Sequence, residues 1–185
     1  MTHDALQELM DGNRRFREGV ATAVNDVALR NELAGGQSPI AAVIRCADSR
    51  VAPEIVFDQP LGSLFVCGVA GNVPTPEIAQ SLEYAVGPLG TNLIVIMGHT
   101  YCGAVAHAIA HQPTEGLFSM VDIPYDEEDA HAFNAEQGIP KLMAMSPMIE
   151  EKVLSGELQI VAGVYDIESG EFELAAQTTL EHQAE

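Results

Sequence analysis

Three short apolar runs, separated by segments of other character, constrain the fold of this chain most strongly. They cover residues 40–46, 63–69 and 92–98, and each has the length and composition of a strand that is covered on both faces. Between the last two runs, Pro76 to Val86 has proline at its first position and apolar residues on one face, which indicates a helix. A second helix is predicted from about Cys102 to His111. Strand, helix, strand and helix in this order predict an α/β fold with a central, mostly parallel sheet and flanking helices.

The N-terminal part of the chain has a different pattern. Apolar residues recur at helical spacing from Asp4 to about Glu18, which predicts an amphipathic helix. Residues 20–37 are mostly small and polar, and they predict an extended connector. Because such a connector is long enough to reach a neighbouring subunit, we expect the helix to pack there. We therefore divide the chain into an N-terminal helical arm with its connector, residues 1–36, and a single α/β domain, residues 37–185.

The C-terminal part predicts one more helix and a pair of antiparallel strands. The helix is expected from Pro140 to Leu154, and the strands from Leu158 to Tyr165 and from Glu171 to Ala176. The residues between these strands, 166–170, have the composition of a turn, which favours a hairpin. The acidic residues 122–136 have no clear periodicity and are interpreted as a solvated loop, with a weak site for a hard cation as the alternative.

The charge of the chain and the shortness of its apolar runs exclude several classes of protein. The 185 residues carry 8 basic and 27 acidic side chains, a net charge of −19, which would repel the phosphates of nucleic acids. No run approaches the roughly 18 apolar residues that cross a bilayer, and the first residues do not resemble a signal peptide. We therefore expect a cytoplasmic protein without a nucleic-acid or membrane partner. Its 3 cysteines, an odd number, favour metal binding or catalysis over a disulfide framework.

Cysteine and histidine residues follow two of the predicted strands directly. Cys46 ends the first strand, and His99 and Cys102, three positions apart, follow the third. Ligands of parallel sheets gather at the carboxyl ends of the strands, so these side chains are expected at the same edge. Two thiolates and one imidazole suit a tetrahedral zinc ion and leave one coordination position open. An open position implies a catalytic site.

The residues after Cys46 add chemistry that a purely structural zinc site does not need. Asp48 lies two positions from Cys46, and Arg50 has the planar fork that grips a carboxylate. Asp48 can either take the open position on zinc or accept a hydrogen bond beside it, and Arg50 can hold Asp48 away from the metal. The alternative is an exposed ion pair that only stabilises a loop.

The segments Cys46-Ala-Asp-Ser-Arg50 and His99-x-x-Cys102-Gly103 resemble the two signatures of the β-class carbonic anhydrases. The similarity continues through residues 55–62, 70–72, 81–86 and 163–166, and it covers most of the chain. The resemblance implies zinc bound by Cys46, His99 and Cys102, and Asp48 and Arg50 as the catalytic dyad. The implied reaction is the reversible hydration of carbon dioxide to bicarbonate and a proton.

The same resemblance implies a homodimer or larger homo-oligomer with active-site clefts at the subunit interface. The positions that match the substrate cleft of the family are Gln37, Phe65, Tyr84 and Gly103. Gln37 of the partner subunit would donate a hydrogen bond to bicarbonate, and the rings of Phe65 and Tyr84 would form apolar walls. From the residues alone, ordinary core or interface packing explains the two rings equally well, and a solvated loop explains Gln37.

The chain departs from the family pattern at Gly68 and Val69, where an arginine and then often an asparagine are usual. In some members that arginine helps to bind a regulatory bicarbonate, so Gly68 predicts no cooperative inhibition by bicarbonate through that route. Two other functions remain compatible with the zinc motif: hydrolysis of carbonyl sulfide or carbon disulfide at the same centre, and a zinc-stabilised assembly protein without catalysis. The presence of both Asp48 and Arg50 argues against the second of these.

Overall fold

The protein is built around a five-stranded sheet with helices on both faces. The computed structural model describes residues 5–124 and 129–178. The strands are β1 (Ala41–Cys46), β2 (Leu64–Val69), β3 (Leu93–His99), β4 (Gln159–Tyr165) and β5 (Phe172–Gln177). The helices are α1 (Ala5–Arg17), α2 (Val27–Leu33), α3 (Pro53–Val56), α4 (Pro76–Val86), α5 (Gly103–His111), α6 (Ala130–Met145) and α7 (Pro147–Leu154), with a 3₁₀ turn at Leu117–Met120.

The sheet has the strand order β2-β1-β3-β4-β5. Strands β1 to β4 pair in parallel, and β5 pairs antiparallel with β4. This confirms the predicted α/β fold with a mostly parallel sheet and a C-terminal antiparallel hairpin. The parallel register places Cys46 beside Val69 and His99 beside Tyr165 at one edge of the sheet. That edge is where the predicted site residues gather.

Helices pack on the two faces of the sheet in different groups. One face of β1 and β3 contributes Val43 and Val95 to a core that also holds residues of α1, α3 and α5. The opposite face contributes Ile44 and Ile96 to a core shared with α4, α6 and α7. Because both faces of β1 and β3 are covered, these two strands are apolar nearly throughout rather than alternating, which is why short apolar runs predict them.

The N-terminal helix packs on the core of its own chain, and its expected contact with a neighbouring subunit stays a prediction. Leu9 is buried, and the Asn13 amide donates to the carbonyl oxygens of Val56 at 3.1 Å and Gly170 at 2.8 Å. The Phe172 N–H donates to Asn13 Oδ1 at 2.9 Å. These contacts reach residues far along the chain, which no local pattern reveals. The predicted first residue of the helix, Asp4, lies outside the described residues.

The predicted connector, residues 20–37, also contains a helix. Asp26 caps α2, because its carboxylate accepts the N–H of Leu29 at 2.9 Å. No residue of α2 is buried. The helix therefore has no buried apolar face, and the spacing of apolar residues that predicts the other helices does not predict this one. The prediction of an extended segment is therefore wrong for residues 27–33.

The acidic segment and the helix after it also differ from expectation. α6 begins at Ala130 instead of Pro140, so residues 130–136 are helical rather than a solvated loop. Its core-facing residues include Asn134, Ala135 and Gly138, which are small or polar and hide the helical period. Pro140 lies inside α6, and the helix ends before Ser146, whose hydroxyl accepts the Ile149 N–H and caps α7. Part of the acidic segment, residues 125–128, lies outside the described residues.

None of the helices in the described part of the chain combines the length and the apolar character that crossing a bilayer requires.

Candidate metal centre and active site

The ends of two strands and the start of one helix bring together Cys46, His99 and Cys102. Cys46 is the last residue of β1, His99 is the last of β3, and Cys102 caps the N-terminus of α5. All three are buried, and their potential ligand atoms lie within 4.8 Å of one another. The two Sγ atoms are 3.9 Å apart. The structure thus assembles a group that could hold a metal ion from residues 56 positions apart in the chain.

The hydrogen bonding of His99 prepares one ring nitrogen as a ligand. Nδ1 lies 2.8 Å from the carbonyl oxygen of Thr100, which can only accept, so Nδ1 carries the proton. Nε2 is buried and has no hydrogen-bond partner among the described residues. A buried nitrogen with a free lone pair is costly unless something binds it. This orphaned atom between two thiols fits a divalent metal ion.

The two thiols interact strongly with each other. A hydrogen bond from Cys102 lowers the pKa of Cys46, against the opposing effect of burial, and His99 and the Gly71 N–H lower it further. The same contact raises the pKa of Cys102, and burial adds to that effect. Because the two sulfurs lie 3.9 Å apart, a bound cation would favour the form in which both are thiolates. This donor set matches the requirements of a metal that prefers sulfur and nitrogen ligands.

Asp48 and Arg50 form a bidentate ion pair next to this group. Arg50 Nε donates to Asp48 Oδ1 at 2.9 Å and Nη2 donates to Oδ2 at 2.7 Å. The Arg50 backbone N–H also donates to Oδ1 at 2.9 Å. Arg50 Nη2 makes a further bond of 3.2 Å to the carbonyl oxygen of Tyr101, which fixes the pair against the segment between His99 and Cys102. Both carboxylate oxygens are therefore held by Arg50.

This arrangement keeps Asp48 ionised. The hydrogen bonds from the Arg50 side chain hold the pKa of Asp48 well below its usual range, although partial burial opposes them. With its side chain 18% exposed, Asp48 can still reach a small molecule in the site. It can act only as a hydrogen-bond acceptor in this state.

An apolar cavity of about 560 Å³ opens beside Cys102. Its walls include Val105, Ala106 and Ile109 of α5, together with Gly103 and His131. A Cβ atom added at Gly103 would meet nothing within 4 Å, so this position faces open space. Of the three candidate ligands only Cys102 lines this cavity, which suits a small, weakly polar molecule next to that sulfur.

The other predicted cleft residues are not brought to the metal group within one chain. Gln37 is exposed in the segment before β1. Phe65 pairs with Ala42, four positions before Cys46 on β1, which places it about 13 Å along the strand. Its ring contacts Tyr84, with centroids 6.4 Å apart, on the face covered by α4. A role for these three residues in a cleft needs a second subunit, and it stays a prediction.

The sequence did not predict two residues that contact the Cys46–His99–Cys102 group, Gly71 and His131. Both contacts are hydrogen bonds donated by a backbone N–H. The Gly71 N–H donates to Cys46 Sγ at 3.2 Å, and His131 Nε2 accepts the Cys102 N–H at 3.4 Å. The Gly-Asn pair at positions 71 and 72 is a turn signal, but nothing local shows that the turn faces a cysteine. His131 lies in the segment interpreted as a loop, so no pattern pointed to it.

Comparisons with known proteins identify the family. The sequence profile described as carbonic anhydrase matches residues 41–172. Carbonic anhydrase 2 of Mycobacterium tuberculosis is 37% identical over 191 residues, which cover 90% of this chain and 89% of the relative.

Solved structures agree with this match. The β-carbonic anhydrase CcaA superimposes with a TM-score of 0.70 at 28% identity, over 91% of this chain and 86% of that one. A β-carbonic anhydrase of the ascomycete Sordaria macrospora, described as tetrameric, gives a TM-score of 0.69 at 25% identity, over 81% of this chain and 87% of that one. None of these matches supports hydrolysis of carbonyl sulfide or carbon disulfide, or a non-catalytic assembly protein. The fold, the matched profile and the enzymes it resembles place this chain in the β-carbonic anhydrase family.

Proposed function

We propose that this protein is a zinc enzyme that catalyses the reversible hydration of carbon dioxide to bicarbonate and a proton. The observation that carries the proposal is the buried Cys46–His99–Cys102 group with its orphaned His99 Nε2, placed next to the Asp48–Arg50 pair. A structural metal site alone would not need that ion pair.

Cys46, His99 and Cys102 would hold the zinc ion. Two sulfurs and one nitrogen are ligands that zinc prefers, and three protein ligands leave a fourth position for the reaction. When bound there, zinc acts as a Lewis acid that makes water a nucleophile at neutral pH. The Thr100 carbonyl oxygen fixes the ring of His99, so the ligand is oriented before the metal arrives.

Asp48 would orient the reacting water. Its ionised carboxylate accepts a hydrogen bond from that water and turns an oxygen lone pair towards the carbon of carbon dioxide. Arg50 holds both carboxylate oxygens, so Asp48 is kept from acting as a metal ligand itself. The new bond joins the water oxygen to carbon, one proton leaves to the buffer, and the product is bicarbonate.

The cavity beside Cys102 would receive the carbon dioxide. Val105, Ala106 and Ile109 give it an apolar wall, and the absence of a side chain at Gly103 leaves the approach open. An uncharged substrate gains from this surface, whereas the charged product does not, which favours release.

A second subunit would complete the site. The Sordaria macrospora enzymes are described as tetrameric, which supports a homo-oligomer here. Gln37 is exposed in this chain, so Gln37 of the partner subunit would be available to donate to bicarbonate. The exposed ring of Tyr84, 51% accessible, and the neighbouring Phe65 would line the same interface.

Stopped-flow measurement of carbon dioxide hydration on zinc-loaded protein tests this proposal. We expect rapid, zinc-dependent turnover that a chelator abolishes and added zinc restores. Carbonyl sulfide and carbon disulfide, supplied in parallel, should be much poorer substrates. Zinc-loaded protein that hydrates carbon dioxide no faster than buffer overturns the proposal.

A further inference from the structure

We propose that Asn134 on α6 is a positioning residue that holds the Gly71 N–H against the sulfur of Cys46 and so tunes this thiolate as a zinc ligand. The inference rests on the metal site of the proposed function, and it assigns a role to a residue outside that site's ligands, dyad and cleft.

The connection runs through three hydrogen-bonded groups. The Asn134 amide nitrogen donates to the carbonyl oxygen of Gly71 at 2.8 Å. The N–H of the same glycine donates to Cys46 Sγ at 3.2 Å. Asn134 is 2% exposed, so its amide is not exchanged with water. Asn134 therefore holds the carbonyl group of Gly71, and the N–H group of Gly71 contacts Cys46, a candidate metal ligand.

Gly71 has a backbone that needs such support. Its φ of +86° lies in the region that side chains rarely adopt. An added Cβ would lie 2.9 Å from Val121 Cγ2 and 3.3 Å from the Cβ of Ala104. These two side chains leave no room for a residue larger than glycine. Glycine has the largest conformational freedom to lose on folding. The bond from Asn134 holds the Gly71–Asn72 peptide. It thereby restricts rotation at Gly71 and the orientation of the preceding peptide, whose N–H contacts Cys46.

The oxygen atom of the Asn134 side-chain amide holds the segment of residues 120–122, in which Val121 packs against Gly71. Asn134 Oδ1 accepts the Asp122 N–H at 3.0 Å. Lys141, further along α6, pairs with the Asp122 carboxylate and donates to the Met120 carbonyl oxygen at 2.7 Å. α6 thus anchors this segment at two places, and of these two anchors Asn134 is the one that also bonds Gly71. This difference supplies a matched control.

A hydrogen bond to a thiolate ligand has a defined effect on the metal. The N–H withdraws charge from sulfur, which stabilises the thiolate against protonation and lowers the energy of its lone pairs. Loss of an outer-shell hydrogen bond of this kind typically lowers metal affinity by about 10- to 100-fold. It should also shift the sulfur-to-metal charge-transfer band of a cobalt-substituted site to lower energy.

The test compares Asn134→Asp, Asn134→Leu and Lys141→Met with the parent protein. Asn134→Asp keeps an acceptor for the Asp122 N–H and loses the donor to Gly71, whereas Asn134→Leu loses both. Zinc affinity is measured by competition with a chelator, and the charge-transfer band is recorded on cobalt-substituted protein. Both Asn134 variants should bind zinc about 10- to 100-fold more weakly and show a red-shifted cobalt band. Lys141→Met should match the parent in both measurements.

Parental zinc affinity and an unshifted band in a folded Asn134 variant overturn the inference. An equal loss in Lys141→Met also overturns it, because anchoring of the segment alone would then explain the effect. If neither Asn134 variant folds, the parent protein loaded with cadmium-113 decides. The Gly71 amide proton should then show a scalar coupling to cadmium through Cys46 Sγ, and no coupling overturns the inference. A parent protein that binds no zinc refutes the proposed function instead, and the inference with it.

Discussion

Arg45 on β1 lies directly over Gly68 on the neighbouring strand β2. A Cβ atom at Gly68 would lie 2.9 Å from the Arg45 carbonyl oxygen and 3.2 Å from Arg45 Cγ. The Arg45 guanidinium turns back and donates to the carbonyl oxygen of Cys46 at 2.7 Å. A side chain at position 68 would therefore meet the backbone and side chain of Arg45 on the adjacent strand.

This contact predicts a steric cost for any side chain at position 68. Gly68→Ala should destabilise the protein by about 1–3 kcal/mol, because the backbone oxygen cannot move away as a flexible side chain would. Gly103→Ala is the control for the added Cβ, since that atom meets nothing within 4 Å, and its unfolding free energy should not fall below that of the parent. Urea unfolding measures both. Equal stability of the two variants would contradict the contact.

If Cys46, His99 and Cys102 bind zinc, the zinc content of cysteine variants should differ from one cysteine to the next. Cys46→Ala and Cys102→Ala should each deplete zinc, because two protein ligands hold the ion far less tightly than three. Cys67→Ala is the control, since Cys67 packs in the core on the other face of the sheet. Elemental analysis of the purified variants measures the zinc content. Full zinc retention in both Cys46→Ala and Cys102→Ala would refute the ligand assignment.

Asp48→Asn should reduce carbon dioxide hydration while zinc stays bound. The amide keeps the shape of the carboxylate but is neutral and a weaker acceptor, and loss of a positioned acid–base partner typically costs about 10²- to 10⁴-fold. Arg50→Leu should also lower the rate, since it frees Asp48 to approach the metal. Steady-state rates at several pH values are compared with zinc content in the same samples. Parental turnover in Asp48→Asn at every pH removes this residue from the mechanism.

The sequence predicts these residues well because their signals are local. Buried strands form continuous apolar runs, Pro76 marks the start of α4, and Cys46 and His99 stand at strand ends that parallel pairing brings together. The residues it does not predict act at a distance. Asn134 contacts Gly71 across 63 positions of the chain, and the first half of its helix has mostly small or polar residues on its buried face, which weakens the helical pattern of apolar residues.

The buried carboxylate of Asp58 should make the free energy of unfolding depend on pH in the acid range. Its carboxylate accepts hydrogen bonds from Arg15 Nε at 2.6 Å and from the N–H groups of Thr22 at 2.9 Å and Ala23 at 2.8 Å, and its side chain is 1% exposed. Burial raises the pKa of Asp58, but these bonds outweigh it and lower the pKa to about 2. Since the unfolded value is about 3.9, the folded state gains stability above that pH and loses it as pH falls towards 2.

Asp58→Asn should therefore lower the free energy of unfolding by about 2 kcal/mol at pH 7, and the difference from the parent should shrink between pH 4 and pH 2. Glu171→Gln is the control, because its pair with Arg17 is exposed, with both side chains 37% accessible. Urea unfolding across this pH range measures both variants. A difference for Asp58→Asn that is constant down to pH 2 contradicts the linkage.

Gln37 and the N-terminal helix α1 are expected to have separate roles. α1 packs in the core of its own chain through Leu9 and Asn13, so deletion of residues 1–30 should destabilise the subunit itself rather than only its assembly. Gln37 is exposed, so Gln37→Ala should leave folding, mass and zinc content unchanged and lower turnover only if Gln37 of the partner subunit reaches the cleft. Light scattering at the assay concentration, combined with hydration kinetics, measures both effects.

Mixing Gln37→Ala subunits with subunits that carry Asp48→Asn adds a direct test, because a shared cleft leaves some hybrid sites with both residues intact and restores part of the rate. A fully active monomer, or hybrids with no more activity than the separate variants, would show that each cleft is built from one chain.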